Sequence, residues 1–159
     1  MSMNLEILAN LVWELRFLSM VSQTAHWRVF GPSAPGDHGL YKVVYEKLDE
    51  LLDPLAEVLT AHSEFNDRVV CPLAQATYVR ERMDSIMPHL EGALQNPDAL
   101  AVLVFEEVKS LVHNFREIAA EIGGSTGLTF GLEDRLASTA SELESLMYFL
   151  ERRAQLLTH

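Results

Sequence analysis

The segment His26–Glu57, HWRVFGPSAPGDHGLYKVVYEKLDELLDPLAE, holds the end of one helical pattern, a loop, and a second, longer helical pattern. Between Phe30 and Gly36 stand Gly31, Pro32, Pro35 and Gly36, a composition that cannot continue a helix. Asp37 occupies the place of an N-cap. From there Leu40, Val44, Leu48, Leu51, Leu55 and Val58 recur at helical spacing, predicting a helix to about Ala61. Pro54 lies inside that pattern, where it removes one backbone donor and crowds the carbonyl of Glu50; a kink is expected there.

Working outward, Leu5, Leu8, Leu11, Val12, Leu15, Leu18, Val21, Ala25 and Val29 predict a helix from Asn4 to about Val29 with one buried face. Residues 62–79 read as a connection, followed by a short helix over about 78–94 interrupted by Pro88. Asn96, Pro97 and Asp98 combine a cap, a first-turn proline and an acid at the positive end of the dipole. The helix they start should run to Ile122, before Gly123 and Gly124. A last helix begins around Thr129 or Gly131 and carries Leu132, Leu136, Leu143, Leu146, Leu150 and Leu157. Four long helices, two short loops and one long middle connection predict an all-α, single-domain chain over 1–159. The expected architecture is a four-helix bundle with the crossover connectivity of ferritin-like folds, its crossover carrying short helical segments.

The 159 residues suffice for one buried core, and 48% hydrophobic with 22% charged residues is a globular balance. A formal charge of −11 opposes any sequence-independent grip on nucleic acid, which needs Lys and Arg against phosphates, and favours cations as partners. The single cysteine, Cys71, excludes an intrachain disulfide framework and a cysteine zinc cluster, and fits a reducing, cytoplasmic setting. The N-terminal stretch lacks the basic start of a signal peptide, and no apolar run is long enough to span a membrane.

Helix periodicity places His38, Asp53 and Glu57 within about 100° of arc on one flank of the second helix. Along its axis, however, His38 and Asp53 lie about 22 Å apart, too far to share an ion within one chain. A two-fold dimer with these helices antiparallel would bring His38 of one chain opposite Asp53 and Glu57 of the other. His26 joins His38 if the first two helices fold back on each other. Such imidazoles and carboxylates suit iron, manganese or zinc better than magnesium. Taken singly, His26 on the apolar stripe reads first as a partly buried structural residue, His38 as part of a helix start, and Asp53 with Glu57 as an ordinary acidic pair on a solvated face; only their joint spacing favours metal.

At His26, Trp27, Gly31, Pro32, His38, Asp53, Ala56 and Glu57 the chain resembles the Dps family, the starvation-induced, DNA-binding mini-ferritins. The resemblance implies a hollow homo-oligomer, a dodecamer built from two-fold dimers, that oxidises iron(II) and stores iron(III). It also implies ligands His26 and His38 from one subunit and Asp53 and Glu57 from its mate, with Trp27 beside the site. Two departures stand out. The family's carboxylate four residues after the second histidine is Lys42 here, and an ammonium offers a metal no lone pair. The Lys-rich tail that binds DNA in many members has no counterpart, since no lysine precedes Lys42 and Arg152 and Arg153 are few. DNA binding is therefore not expected.

Three functions follow as expectations: a ferroxidase cage, an inert Dps-like shell in which Lys42 takes the metal's place, or a redox-inactive manganese- or zinc-binding bundle. Glu46, Asp49 and Glu50 are candidate mineral-facing acids, with solvated helix acids the plainer reading. His62, Glu64, His89, His113 and Glu117 read chiefly as surface residues.

Overall fold

In the computed structural model, which describes residues 5–61, 70–122 and 130–155, helices make up nearly all of the described residues. They are α1 (Leu5–Arg28), α2 (Ala34–Thr60), α3 (Pro72–Ala93), α4 (Pro97–Ile122) and α5 (Phe130–Gln155). No described helix is long and apolar enough to cross a membrane. The calls on Gly123, Gly124, Thr129 and Leu157 lie outside the described residues.

The turn between α1 and α2 is tighter than the sequence suggests. Asp37 is not the cap: Ser33 takes that place, α2 starts at Ala34, and Pro35 falls in the first turn. A proline costs little there, because first-turn N–H groups have no intrahelical partner. Gly31 makes the turn possible with φ 81°, a conformation that penalises any Cβ. Pro54 sits inside an uninterrupted α2. A second correction concerns the crossover, whose described residues carry a 22-residue helix where short segments were expected. Pro72 stands in the first turn of α3 and Pro88 lies inside it. Asn96 caps α4 as expected, its Oδ1 accepting from the N–H groups of Asp98 (3.0 Å) and Ala99 (3.3 Å).

Cross-helix contacts give the directions of the helices. His26 at the end of α1 meets His38 at the start of α2, and the Ser19 hydroxyl donates to Asp49 at 2.7 Å, so the two helices run antiparallel. Arg153, at the end of α5, reaches both Asp37 in the first turn of α2 (2.6 Å) and Asp98 in the first turn of α4 (2.8 Å). Thus α2 and α4 begin at the same end of the bundle and run parallel. A chain that finishes α2 at one end and starts α4 at the other must cross the whole length, and α3, about 33 Å long, makes that crossing. It packs on α1 and α4, while α1 also packs on α2 and α4, and α5 on α2 and α4.

Leu8, Leu15, Phe17, Leu18, Tyr41, Leu48, Leu55, Leu100, Leu111 and Phe115 are fully buried among the four long helices. Tyr41 is unusual in that its buried hydroxyl has no hydrogen-bond partner. Burial, seconded by the nearby charge of Asp37, raises the phenol's pKa above its ordinary 10. A raised folded-state pKa contributes stability that is intact below pH 10 and is lost above it, as only the unfolded chain releases the proton. Urea denaturation should therefore show stability falling by about 1.4 kcal/mol per pH unit above about pH 10 from this residue alone. Tyr41→Phe should remove that part of the slope and leave neutral-pH stability equal or higher; an unchanged slope would show that Tyr41 does not cause it.

Candidate metal centre

At the turn end of the α1–α2 hairpin the two histidines pair reciprocally. His26 Nδ1 lies 2.9 Å from the backbone oxygen of His38, and His38 Nδ1 lies 3.0 Å from that of His26. A carbonyl oxygen only accepts, so each Nδ1 donates and each neutral ring carries its free lone pair on Nε2. The rings stack with centroids 3.7 Å apart and 28° between planes, and Tyr45 meets His26 edge-on at 5.4 Å. Metal-binding histidines are commonly held in this way, one nitrogen donating to a carbonyl and the other left as ligand.

The hairpin turn creates this pair. His26 sits in the last turn of α1 and His38 in the second turn of α2, and the antiparallel helices set them side by side. His38 is exposed and His26 half-buried. Trp27 beside them is 68% exposed. The expectation that two helices folding back would join the two histidines is met.

The carboxylates stand elsewhere. Asp53 and Glu57 are exposed on the outward side of α2, opposite the arc of Tyr41, Val44, Leu48, Leu51, Leu55 and Leu59, and their carboxylates have no hydrogen bond or ion pair among the described residues. Within one chain, no group of three or more His, Cys, Asp or Glu among the described residues is placed to hold a metal ion. Lys42, one turn after His38, pairs with Glu46 at 3.7 Å. Asp49 accepts from Ser19, and Glu50 pairs with Lys47 at 2.9 Å, so each of the candidate mineral-facing acids already has a partner. His113 and Glu117 form an exposed pair at 3.3 Å, and His89 is exposed; His62 and Glu64 lie outside the described residues.

Two polar networks escape a pattern reading. Asp37, 2% exposed, is gripped by Arg153, whose Nε donates to one oxygen at 2.6 Å and Nη2 to the other at 3.0 Å. The same Nη2 reaches Asp98 at 2.8 Å, and these acids hold the guanidinium firmly protonated. This clamp locks the first turn of α2 one residue before His38. In the second network Glu14 accepts from the Tyr78 hydroxyl and from Arg82 Nε, both at 2.6 Å, while Arg82 Nη2 donates to Glu107 at 2.8 Å. Arg82 also lies over the Phe17 ring at 4.6 Å. It thereby ties the crossover to α1 and α4. A signal for it existed: Glu14 falls three residues after Leu11 and four before Leu18, on the apolar stripe.

Comparison with protein-family models, with curated proteins and with solved structures returned no match.

Proposed function

We propose that this chain is a ferritin-like, Dps-like subunit that forms a closed homo-oligomer from two-fold dimers and takes iron(II) as substrate at sites shared between chains. Iron(II) would give its electrons to peroxide or oxygen, and iron(III) would collect inside the shell. The observation that carries this reading is the reciprocal histidine pair, with both Nδ1 atoms committed to backbone carbonyls and both Nε2 atoms free. Parallel α2 and α4 joined by a full-length crossover agree with the connectivity of ferritin-like bundles.

The exposed surface supports a dimer through the α1–α2 hairpin. Met20, Trp27, Phe30 and Val43 are large apolar residues left exposed on that hairpin. In an antiparallel α2–α2 pairing that sets His38 against Asp53 and Glu57 of the mate, Glu46 comes to the two-fold axis beside its own copy. Lys42 then faces the mate's acidic residues around 49–53. Like charges at the axis oppose association unless countered, and Lys42, already paired with Glu46, supplies the counter-charge.

In this arrangement Lys42 replaces a ligand, so each site holds a single ion on two imidazoles and two carboxylates. Purified protein loaded with iron(II) without oxygen should retain about one ion per chain by elemental analysis, located by anomalous scattering between His26 and His38 of one chain and Asp53 and Glu57 of the other. Lys42→Asp should raise this toward about two. Addition of peroxide should oxidise the bound iron(II) faster than iron in buffer. Manganese or zinc held in place of iron, with no gain in oxidation rate, would select the redox-inactive bundle. An empty interface in an assembled shell would select the inert one.

A further inference from the structure

A cavity of about 280 Å³ opens between α1, α3 and α4. It is remote from the histidine pair, since Glu14 precedes His26 by about 18 Å along α1. Ile7, Leu11 and Ile118 form its aliphatic side, and Asn10, Glu14, Tyr78, Asn114 and Glu117 its polar side. Glu14 and Tyr78 provide its inner polar groups, and the exposed Asn114 and Glu117 stand at its mouth.

Glu14 is 8% exposed and only half satisfied. Both of its hydrogen bonds, from Tyr78 and from Arg82, enter the same oxygen, Oε1. Oε2 has no partner among the described residues, yet it is not one of the sealed polar atoms of the core, so it opens toward the cavity. One guanidinium, Arg82, serves two carboxylates, Glu14 and Glu107, which leaves this network one negative charge in excess. Glu117 adds a carboxylate, and no lining side chain is cationic.

We propose that this cavity binds a small organic cation, a primary ammonium on a short alkyl chain, with the ammonium on Glu14 Oε2 and the chain along Leu11 and Ile118. The charge excludes anions. A neutral apolar ligand would cover Oε2 without giving it a donor, a cost of about 1–3 kcal/mol for a buried acceptor. A divalent metal ion needs several ligands converging on one point, and no group of three or more His, Cys, Asp or Glu among the described residues is placed to provide them. The volume, near the lower end for ligand pockets, limits the guest to a small molecule.

The test uses the full chain, free of metal, with labelled Ile and Leu methyl groups, so that its outcome is independent of the interface site. n-Butylamine should shift the Ile7, Leu11 and Ile118 methyl resonances saturably, with a Kd in the millimolar range, while butyrate shifts none of them. Glu14→Gln keeps the shape, removes the charge and should weaken binding by about tenfold or more. Because Glu14 also holds Arg82, Glu117→Gln is the second variant: it lies outside that network and should weaken binding several-fold at unchanged Tm. Three results would overturn the proposal: no saturable shift with butylamine, equal shifts with butyrate, or shifts of these methyls by magnesium chloride alone.

Discussion

Arg153→Ala should cost the fold about 3–5 kcal/mol, the range for removing one partner of a buried ion pair, which leaves the other charge uncompensated. Asp37 would be that orphan, at 2% exposure, inside the first turn of α2. An exposed pair such as Lys109–Glu106, by contrast, should be worth well under 1 kcal/mol. Urea denaturation of the two alanine variants, Arg153→Ala and Lys109→Ala, makes the comparison directly. Removing both charges of the clamp, Asp37→Leu with Arg153→Met, should recover much of the loss, because the penalty belongs to the unpaired carboxylate. Equal small losses for the two single variants would mean that water reaches Asp37 and the clamp does not hold the helix end. The prediction bears on the site as well. Arg153 ties the last turn of α5 to the starts of α2 and α4 one residue from His38, so the variant should also broaden the His38 ring signals.

The other large effect belongs to the proposed centre shared between two chains. Chains carrying His26→Ala with His38→Ala, and separately chains carrying Asp53→Ala with Glu57→Ala, should each lose retained iron(II) and the accelerated oxidation. The loss should exceed the 10–100-fold typical of disturbing a residue that merely orients a ligand. Neither pair of substitutions touches the core, because His38, Asp53 and Glu57 are exposed and His26 is half-buried. The decisive result is the mixture. When the two defective chains are unfolded together and refolded, a mixed two-fold dimer combines the intact histidines of one chain with the intact carboxylates of the other and regains one complete site. Random pairing should restore about a quarter of the wild-type sites. If each variant alone stays inactive and the mixture stays inactive too, the site is not shared in this way. If the histidine variant alone retains full activity, the pair is structural.

The Glu14–Arg82 network explains why some polar residues sit where apolar ones would pack. Arg82 gains from Glu14 and Glu107 what it loses by partial burial, and Tyr78 stays protonated as the donor to Glu14, its pKa raised chiefly by burial and next by that hydrogen bond. A helix that only crosses the bundle would need no such anchor. With it, the crossover is registered against α1 and α4, and the unused oxygen of Glu14 is left facing a cavity.

Helical class and most element ends were legible in the sequence because they rest on local rules. Apolar spacing set α1, α2, α4 and α5, Asn96 and Pro97 set the start of α4, and Gly31 with Pro32 set the break in the hairpin, although Pro35 and Gly36 lie inside α2. Two local readings missed for an equally physical reason. Asp37 has the composition of a cap, but a partner 116 residues away, Arg153, claims its carboxylate, and the helix starts earlier at Ser33. Pro88 suggested a broken crossover, but packing on α1 and α4 holds α3 as one helix around it.

By itself, then, the sequence determined that His26 and His38 flank one loop between two helices, and that Asp53 and Glu57 lie too far along α2 to join His38 in one chain. Spacing along a helix is a fixed rise and rotation per residue, so such statements need no coordinates. Tertiary structure alone decided that the histidines lock each other through backbone carbonyls and present Nε2, that Asp37 belongs to Arg153, and that Glu14 serves the crossover. Those outcomes depend on which distant atoms meet within hydrogen-bonding distance, and no periodicity in a single chain encodes that.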